Sequence, residues 1–182
     1  MNTWIALLRG VNVLGHGKLP MAELVEVLEK IGLKDVRTYI QSGNVVFRSP
    51  GKTAPPLCRK IGKAILASHG FAPHVLVLSV EALRDAVARN PFPSADGNPK
   101  SVHLFFLDQP PMEAKLDRIG ATKADSEEFA LTESVFYLHT PDGFGPSKLA
   151  ANAERLLGVP ATARNWRTVN KILEMAEGPS RP

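Results

Sequence analysis

The highest density of side chains able to bind a ligand lies in the nine residues Tyr39–Phe47, which read YIQSGNVVF. Two apolar runs flank a short turn containing Gly43, a pattern that predicts a β-hairpin. Such a turn needs only its glycine, yet Gln41, Ser42 and Asn44 add amide and hydroxyl groups to it. We therefore take this hairpin as the first candidate for a binding site.

Two further polar residues, Arg9 and Asn12, follow the apolar run Trp4–Leu8, which predicts the first strand. In a β-α-β-β-α-β domain, strands one and two run parallel, and strand three runs antiparallel to both. The end of strand one and the hairpin turn then share one edge of the sheet. This topology predicts that Arg9 and Asn12 lie near the polar hairpin residues. The alternative is that all of these residues only cap turns.

Two lysines precede or begin predicted helices. Lys18 ends a glycine-punctuated loop whose spacing excludes the GxxxxGK[ST] phosphate-binding motif, so we expect at most a looser anion site there. A flexible surface loop is the alternative. Lys148 follows Ser147, a good N-cap residue. A lysine at a helix N-terminus opposes the helix dipole, which favours a bound anion beside it.

The last predicted helix begins after Asn165 and carries a basic face. That face consists of Arg164, Asn165, Arg167 and Lys171. Guanidinium and ammonium groups in this arrangement suit phosphate or carboxylate. The alternative is an ordinary solvated helix face.

Residue patterns typical of catalysis or metal binding are scarce. The five histidines show no HxxxH or HxH spacing, Cys58 is the single cysteine, and no GxSxG motif is present. His103 lies in an apolar strand, where we expect a hydrogen-bonded core residue. We therefore predict no metal and no cofactor.

The elements that must position these residues form two runs. Residues 1–79 predict one β-α-β-β-α-β domain, and residues 80–182 predict a second one, with a helix near Met112–Ile119 and a terminal helix in place of the last strand. Three strands (Trp4–Leu8, Val75–Leu78 and Val102–Leu107) are largely apolar at odd and even positions alike, which predicts burial on both faces. The predicted fold class is α+β, with two ferredoxin-like halves packed together, or each covered by a partner chain, and an extra C-terminal helix.

Composition limits the class of protein. The chain has 182 residues, 44% hydrophobic and 22% charged, which is typical of a globular protein. No apolar run approaches the ~20 residues that span a bilayer, so we expect no membrane association. One cysteine and an N-terminus without a basic leader region predict a cytoplasmic location. A net charge of +4 permits an anionic partner.

Five runs together resemble the bacterial family called domain of unknown function 1697. They are LLRGVNV (residues 7–13), KLPMAEL (18–24), TYIQSGNVVF (38–47), SKL (147–149) and ARNWRTV (163–169). The YIQSGNVVF and RNWRTV runs are specific to that family, and the resemblance covers nearly the whole chain. It implies two ferredoxin-like αβ halves, and it implies no catalytic residues because the family's activity is not established. Leu14 and Gly17 depart from the family pattern, which weakens loop-based anion binding.

These observations predict a monomer or weak homodimer that binds an anionic small ligand, either a nucleotide or a phosphorylated metabolite. An enzyme acting on a small phosphorylated or acyl substrate, with Ser42 or Tyr39 taking part, is the alternative. RNA binding on an open sheet is a third reading, and it requires exposed aromatic side chains on the central strands.

Overall fold

The computed structural model describes residues 1–13 and 15–178, and of Ser94 the backbone alone. The departure from the family pattern at Leu14, and residues 179–182 of the predicted second domain, lie outside the described residues. The chain divides into two compact units. One comprises Met1–Asp85 and the chain from Lys171 onward, and the other is Ala86–Asn170. The described residues form eight strands and seven helices, with two four-stranded antiparallel sheets, so the protein is of the mixed α/β class.

The first unit contains one sheet and two complete helices. Its elements are β1 (Asn2–Arg9), α1 (Met21–Lys30), β2 (Lys34–Tyr39), β3 (Asn44–Ser49), α2 (Ala54–His69) and β4 (His74–Ser79). The strand order is β2-β3-β1-β4, and all neighbours are antiparallel. Leu7 pairs with Asn44, and Arg9 pairs with His74. The end of β1, the turn after β2 and the start of β4 therefore share one edge of the sheet.

Helices α1 and α2 cover one face of this sheet. Leu24 and Leu28 of α1, and Ile61 and Ile65 of α2, are four residues apart, so each pair lies on one side of its helix. These side chains pack in one core cluster with Leu8 and its same-face neighbours on β1. Burying each such side chain stabilises the fold by about 1.5–3 kcal/mol. This core holds the β1 end and the turn in place.

Two helices lie across the division between the units. Helix α3 (Val80–Ala88) begins in the first unit, and α7 (Trp166–Glu177) ends in it. Ser79 caps α3, because its Oγ accepts a hydrogen bond from the Ala82 amide at 3.1 Å. The last turns of α7 are tied to the first unit by two contacts. Arg37 of β2 donates to the Met175 carbonyl at 2.7 Å, and Arg84 pairs with Glu177 at 2.9 Å.

The second unit repeats this arrangement with other residues. Its elements are α4 (Ser94–Gly97), β5 (Val102–Leu107), α5 (Leu116–Thr122), β6 (Glu128–Leu131), β7 (Val135–His139), α6 (Lys148–Leu157) and β8 (Ala161–Asn165). The strand order is β6-β7-β5-β8, again antiparallel throughout. Leu149, Leu156 and Ile119 from α6 and α5 pack with Phe105 and Phe136 of the sheet.

Two predicted elements of this unit were wrong. The second half does have a fourth strand, since β8 pairs with β5 from Ala161 to Asn165. Pairing with a central strand, rather than local propensity, makes this short run extended. The helix expected at Met112–Ile119 begins at Leu116 instead. Pro110 and Pro111 precede turns, and their carbonyls accept from the Met112 and Ala114 amides, which delays the helix.

The central strands are buried on both faces, as their composition predicts. Ile5 and Leu7 on one face of β1, and Ala6 and Leu8 on the other, are all almost fully inaccessible. Every residue of β5 is buried as well. Strand β4 is fully buried only in its middle, at Leu76 and Val77.

Candidate functional site

The hairpin turn lies directly against the end of β1. The Leu8 amide donates to the Gly43 carbonyl at 2.8 Å. Gly43 has a φ of +72°, and a Cβ at this position would lie 2.6 Å from the Leu8 Cβ and 2.9 Å from the Val11 Cγ2. Only glycine satisfies both the backbone conformation and this close approach. The turn is therefore held in one position relative to β1.

Asn12 joins the loop after β1 to this turn. Its Nδ2 donates to the Leu19 carbonyl at 2.8 Å and to the Gln41 carbonyl at 2.9 Å, and its Oδ1 accepts from the Leu19 amide at 2.8 Å. Asn12 also has a φ of +53°, which asparagine tolerates better than most residues. Both Nδ2 protons are used in these bonds, so Asn12 positions the two loops rather than offering a free donor.

Asn44 plays a similar part inside the turn. It is only 1% exposed, and its Nδ2 donates to the Tyr39 carbonyl at 3.1 Å and to the Ser42 Oγ at 3.0 Å. A side chain this deeply buried contacts no ligand unless the turn rearranges. Asn44 therefore orients Ser42 and closes the turn.

Asn12, Lys18 and Gln41 are exposed at this edge, and Arg9 and Ser42 are half-buried. Within the described residues, the side chains of Gln41 and Lys18 make no hydrogen bond or ion pair. Arg9 and Ser42 both have partners in the fold. We refer to six residues of these two loops together as the hairpin edge: Arg9, Asn12, Lys18, Gln41, Ser42 and Asn44.

Lys148 is exposed at the first position of α6, in the second unit. Ser147 caps this helix, because its Oγ accepts from the Ala150 amide at 3.0 Å. The two residues line a cavity of about 400 Å³ that also has Lys123, Glu127 and Asp142 in its wall. The two carboxylates offset the charge of the two lysines there.

The predicted basic face of α7 is mostly occupied by local contacts. Asn165 caps the helix, since its Oδ1 accepts from the Thr168 amide at 2.9 Å. Lys171 pairs with Glu174 at 2.6 Å. Arg164 is half-buried and donates to the Ala163 carbonyl at 2.8 Å, and burial lowers its pKa to about 10. Arg167 alone of this set is exposed.

A chain of three side chains that sequence reasoning missed joins α2 to α1. The Ser68 Oγ lies 2.7 Å from His69 Nδ1, and His69 Nε2 lies 3.0 Å from a Glu23 carboxylate oxygen. The Ser68 hydroxyl also donates a hydrogen bond to the Ala64 carbonyl at 2.9 Å. These residues sit at the C-terminus of α2, where the helix dipole disfavours the oxyanion of an acyl-transfer reaction. We interpret them as a helix-terminal contact.

His103 differs from its prediction. It is 9% exposed, its Nδ1 has no hydrogen-bond partner in the described part of the chain, and its ring stacks on Phe144 with centroids 3.8 Å apart. The prediction that His103 is a hydrogen-bonded core residue is therefore wrong for its Nδ1 atom. Desolvation lowers the pKa of His103 to about 4. No sequence signal would have shown that the 141–147 loop places Phe144 on this ring.

Residues 1–13 and 15–178 contain neither a metal site nor a membrane-spanning helix. No three side chains of His, Cys, Asp or Glu lie together in a group that would hold a metal ion. Among the helices found there, none is both long enough and apolar enough to cross a membrane.

Comparison with known proteins shows the fold and the family. No curated protein matches the chain. Among solved structures, the chain is similar to the conserved bacterial protein SP0830 from Streptococcus pneumoniae, with 24% sequence identity and a TM-score of 0.68. The match covers 98% of this chain and 99% of that one, and at this identity it shows the fold alone. The family described as protein of unknown function DUF1697 matches residues 1–137, three quarters of the chain, and the protein belongs to that family.

Proposed function

We propose that the protein binds an anionic small ligand, a nucleotide or phosphorylated metabolite, at the hairpin edge. The observation that carries the proposal is that Asn12 bonds two loops together while Gln41 and Lys18 remain exposed beside them. Rigid strands and a hydrogen-bonded turn hold the backbone that carries these groups in place before a ligand arrives. Such preorganisation reduces the entropy cost of binding.

The charge of the two segments supports an anion. Residues 9–19 contain Arg9, His16 and Lys18, and residues 39–44 contain no charged side chain. Neither segment has an aspartate or glutamate. An anion placed there meets cations and amide donors without a nearby carboxylate from the same segments.

Five candidate residues lie outside the hairpin edge, and we give them a lesser role. Lys148 and Arg167 are exposed and are available to an anion. Arg164, Asn165 and Lys171 already have partners in the fold. We propose that these three act mainly on the stability and orientation of α7.

RNA binding on an open sheet has less support. The aromatic side chains of the four central strands are Trp4, Phe47, Phe105, Phe106, Phe136 and Tyr137. All six are buried, so they offer no platform on which bases stack. Both faces of β1 and β5 are covered, which also disfavours this mode.

We further propose that each unit is a ferredoxin-like domain and that the protein is cytoplasmic. The strand orders β2-β3-β1-β4 and β6-β7-β5-β8 support the first point, because both follow the split β-α-β pattern. The single cysteine supports the second, since cytoplasmic proteins rarely depend on disulfides.

The test is a thermal-shift titration with inorganic phosphate, sugar phosphates and nucleotides. A ligand at ~100 times its Kd that binds only the folded state stabilises it by about 2.7 kcal/mol. Lys18→Gln should weaken binding of the best ligand about tenfold. Lys63→Gln is the matched control, because it removes one charge from an exposed lysine of α2 and should leave binding unchanged.

Two results would reject the proposed site. One is that no anion shifts the melting temperature in a concentration-dependent way. The other is that Lys18→Gln and Gln41→Ala together leave the shift intact. Conversion of a bound ligand into a product, followed by NMR, would favour the enzyme alternative.

A further inference from the structure

Ile40 occupies a backbone conformation that its side chain disfavours. It stands at the start of the hairpin turn with a φ of +50°. Glycine and asparagine adopt this left-handed conformation readily, whereas a β-branched residue does so only under strain. The side chain is also 52% exposed, so it gains little from burial in compensation. Neither the turn nor the core accounts for an isoleucine here.

Val13, another exposed apolar residue, belongs to the loop after β1 that Asn12 bonds to the hairpin turn. Val13 is 52% exposed and adjoins Asn12, while Ile40 adjoins Gln41, and the Asn12 Nδ2 bonds the Gln41 carbonyl at 2.9 Å. Two backbone hydrogen bonds, at 3.2 and 2.8 Å, connect Val13 with His16. Val13 and Ile40 thus flank the bond that joins the two loops.

The charged and polar residues around Val13 and Ile40 limit the kind of ligand that would contact these two side chains. The same segments supply Lys18, Arg9 and Gln41 and contain no carboxylate. A purely polar anion would gain nothing from Val13 and Ile40, and a purely apolar partner would desolvate the cations without compensation. The complementary ligand carries both an anionic group and an apolar one.

We infer that the hairpin edge takes a nucleoside phosphate, with its base against Ile40 and Val13 and its phosphate toward Lys18. This inference rests on the proposed function and narrows its ligand class. A nucleobase has apolar faces that pack on aliphatic side chains, and polar edges suited to the amide of Gln41. A sugar phosphate offers only the anionic half of this pattern.

The test compares adenosine monophosphate, ribose 5-phosphate and inorganic phosphate by isothermal titration calorimetry. Wild-type protein should bind adenosine monophosphate at least tenfold more tightly than ribose 5-phosphate. Ile40→Asn should abolish this preference for adenosine monophosphate and leave the affinity for inorganic phosphate unchanged. Ile40→Val is the control, and it should keep most of the ratio. Because asparagine tolerates the left-handed conformation, Ile40→Asn should melt at or above the wild-type temperature, so lost binding would not reflect unfolding.

The outcomes separate the two proposals. Equal affinity for adenosine monophosphate and ribose 5-phosphate would overturn this inference and leave anion binding intact. If the Ile40→Asn variant still prefers adenosine monophosphate to ribose 5-phosphate, the inference is overturned as well, since the base would then bind elsewhere. Failure of all three anions to bind would reject the proposed function and this inference with it.

Discussion

At the scale of single residues, His103 predicts how stability depends on pH. Its pKa in the folded protein is about 4, below the ordinary value of 6.5. Between these two values the unfolded chain binds more protons than the folded one. The contribution of this residue to stability is therefore complete above about pH 6.5, falls as the pH decreases toward 4, and changes no further below that. The full difference corresponds to roughly 3 kcal/mol.

Urea unfolding of wild type and His103→Leu, at about pH 7 and pH 4.5, measures this contribution. Other groups titrate in the same range, so the relevant quantity is the difference between the two proteins. We expect the variant to lose about 2–3 kcal/mol less stability on acidification than wild type does.

Phe144→Ala removes the ring that is stacked on His103. This change should raise the pKa of His103 toward 6.5 in an NMR titration. An unchanged pKa in that variant would show that Phe144 does not exclude solvent from the imidazole.

At the scale of elements, the hairpin turn depends on one glycine. Gly43→Ala introduces a side chain at a φ of +72° and places its Cβ against Leu8 and Val11. The conformation costs about 1–2 kcal/mol, and overpacking adds about 1–3 kcal/mol. Gly32→Ala is the matched control, because Gly32 also has positive φ but open space around its Cα. We expect denaturant unfolding to show a clearly larger loss for Gly43→Ala, and equal losses would mean that contact with β1 contributes nothing.

The elements that the sequence predicted well have strong local signals. The hairpin has apolar runs around a glycine turn, and β5 is apolar except for His103. Strand β8 was missed because Ala161-Thr162-Ala163 has little local preference and becomes extended through its pairing with β5. Such pairing joins residues nearly sixty positions apart, and sequence patterns of single elements do not report it.

The candidate site, like the fold, was predictable from the sequence only in part. Sheet topology alone placed Asn12 beside the hairpin, and the bond from Asn12 to the Gln41 carbonyl lies there. The sequence did not distinguish side chains that build the turn from those that remain exposed. Gln41 and Asn44 are both amides and lie three residues apart, yet Asn44 is buried and Gln41 is exposed. Gln41 lies in the turn outside the sheet, whereas Asn44 begins β3 and its side chain bonds back to the Tyr39 carbonyl and the Ser42 Oγ.

At the scale of the whole molecule, burial of both sheet faces makes a quantitative prediction. Leu8 packs in the core beneath α1 and α2, while Leu7 points to the opposite face of β1 and is just as inaccessible. If both faces contribute equally, Leu7→Ala and Leu8→Ala should each cost about 2–5 kcal/mol in urea unfolding. Leu66→Ala, at a half-exposed position on α2, is the control and should cost less than about 1 kcal/mol. A cost for Leu7→Ala as small as that of Leu66→Ala would show that the second face of β1 adds little to stability, and that its apolar residues are covered only loosely.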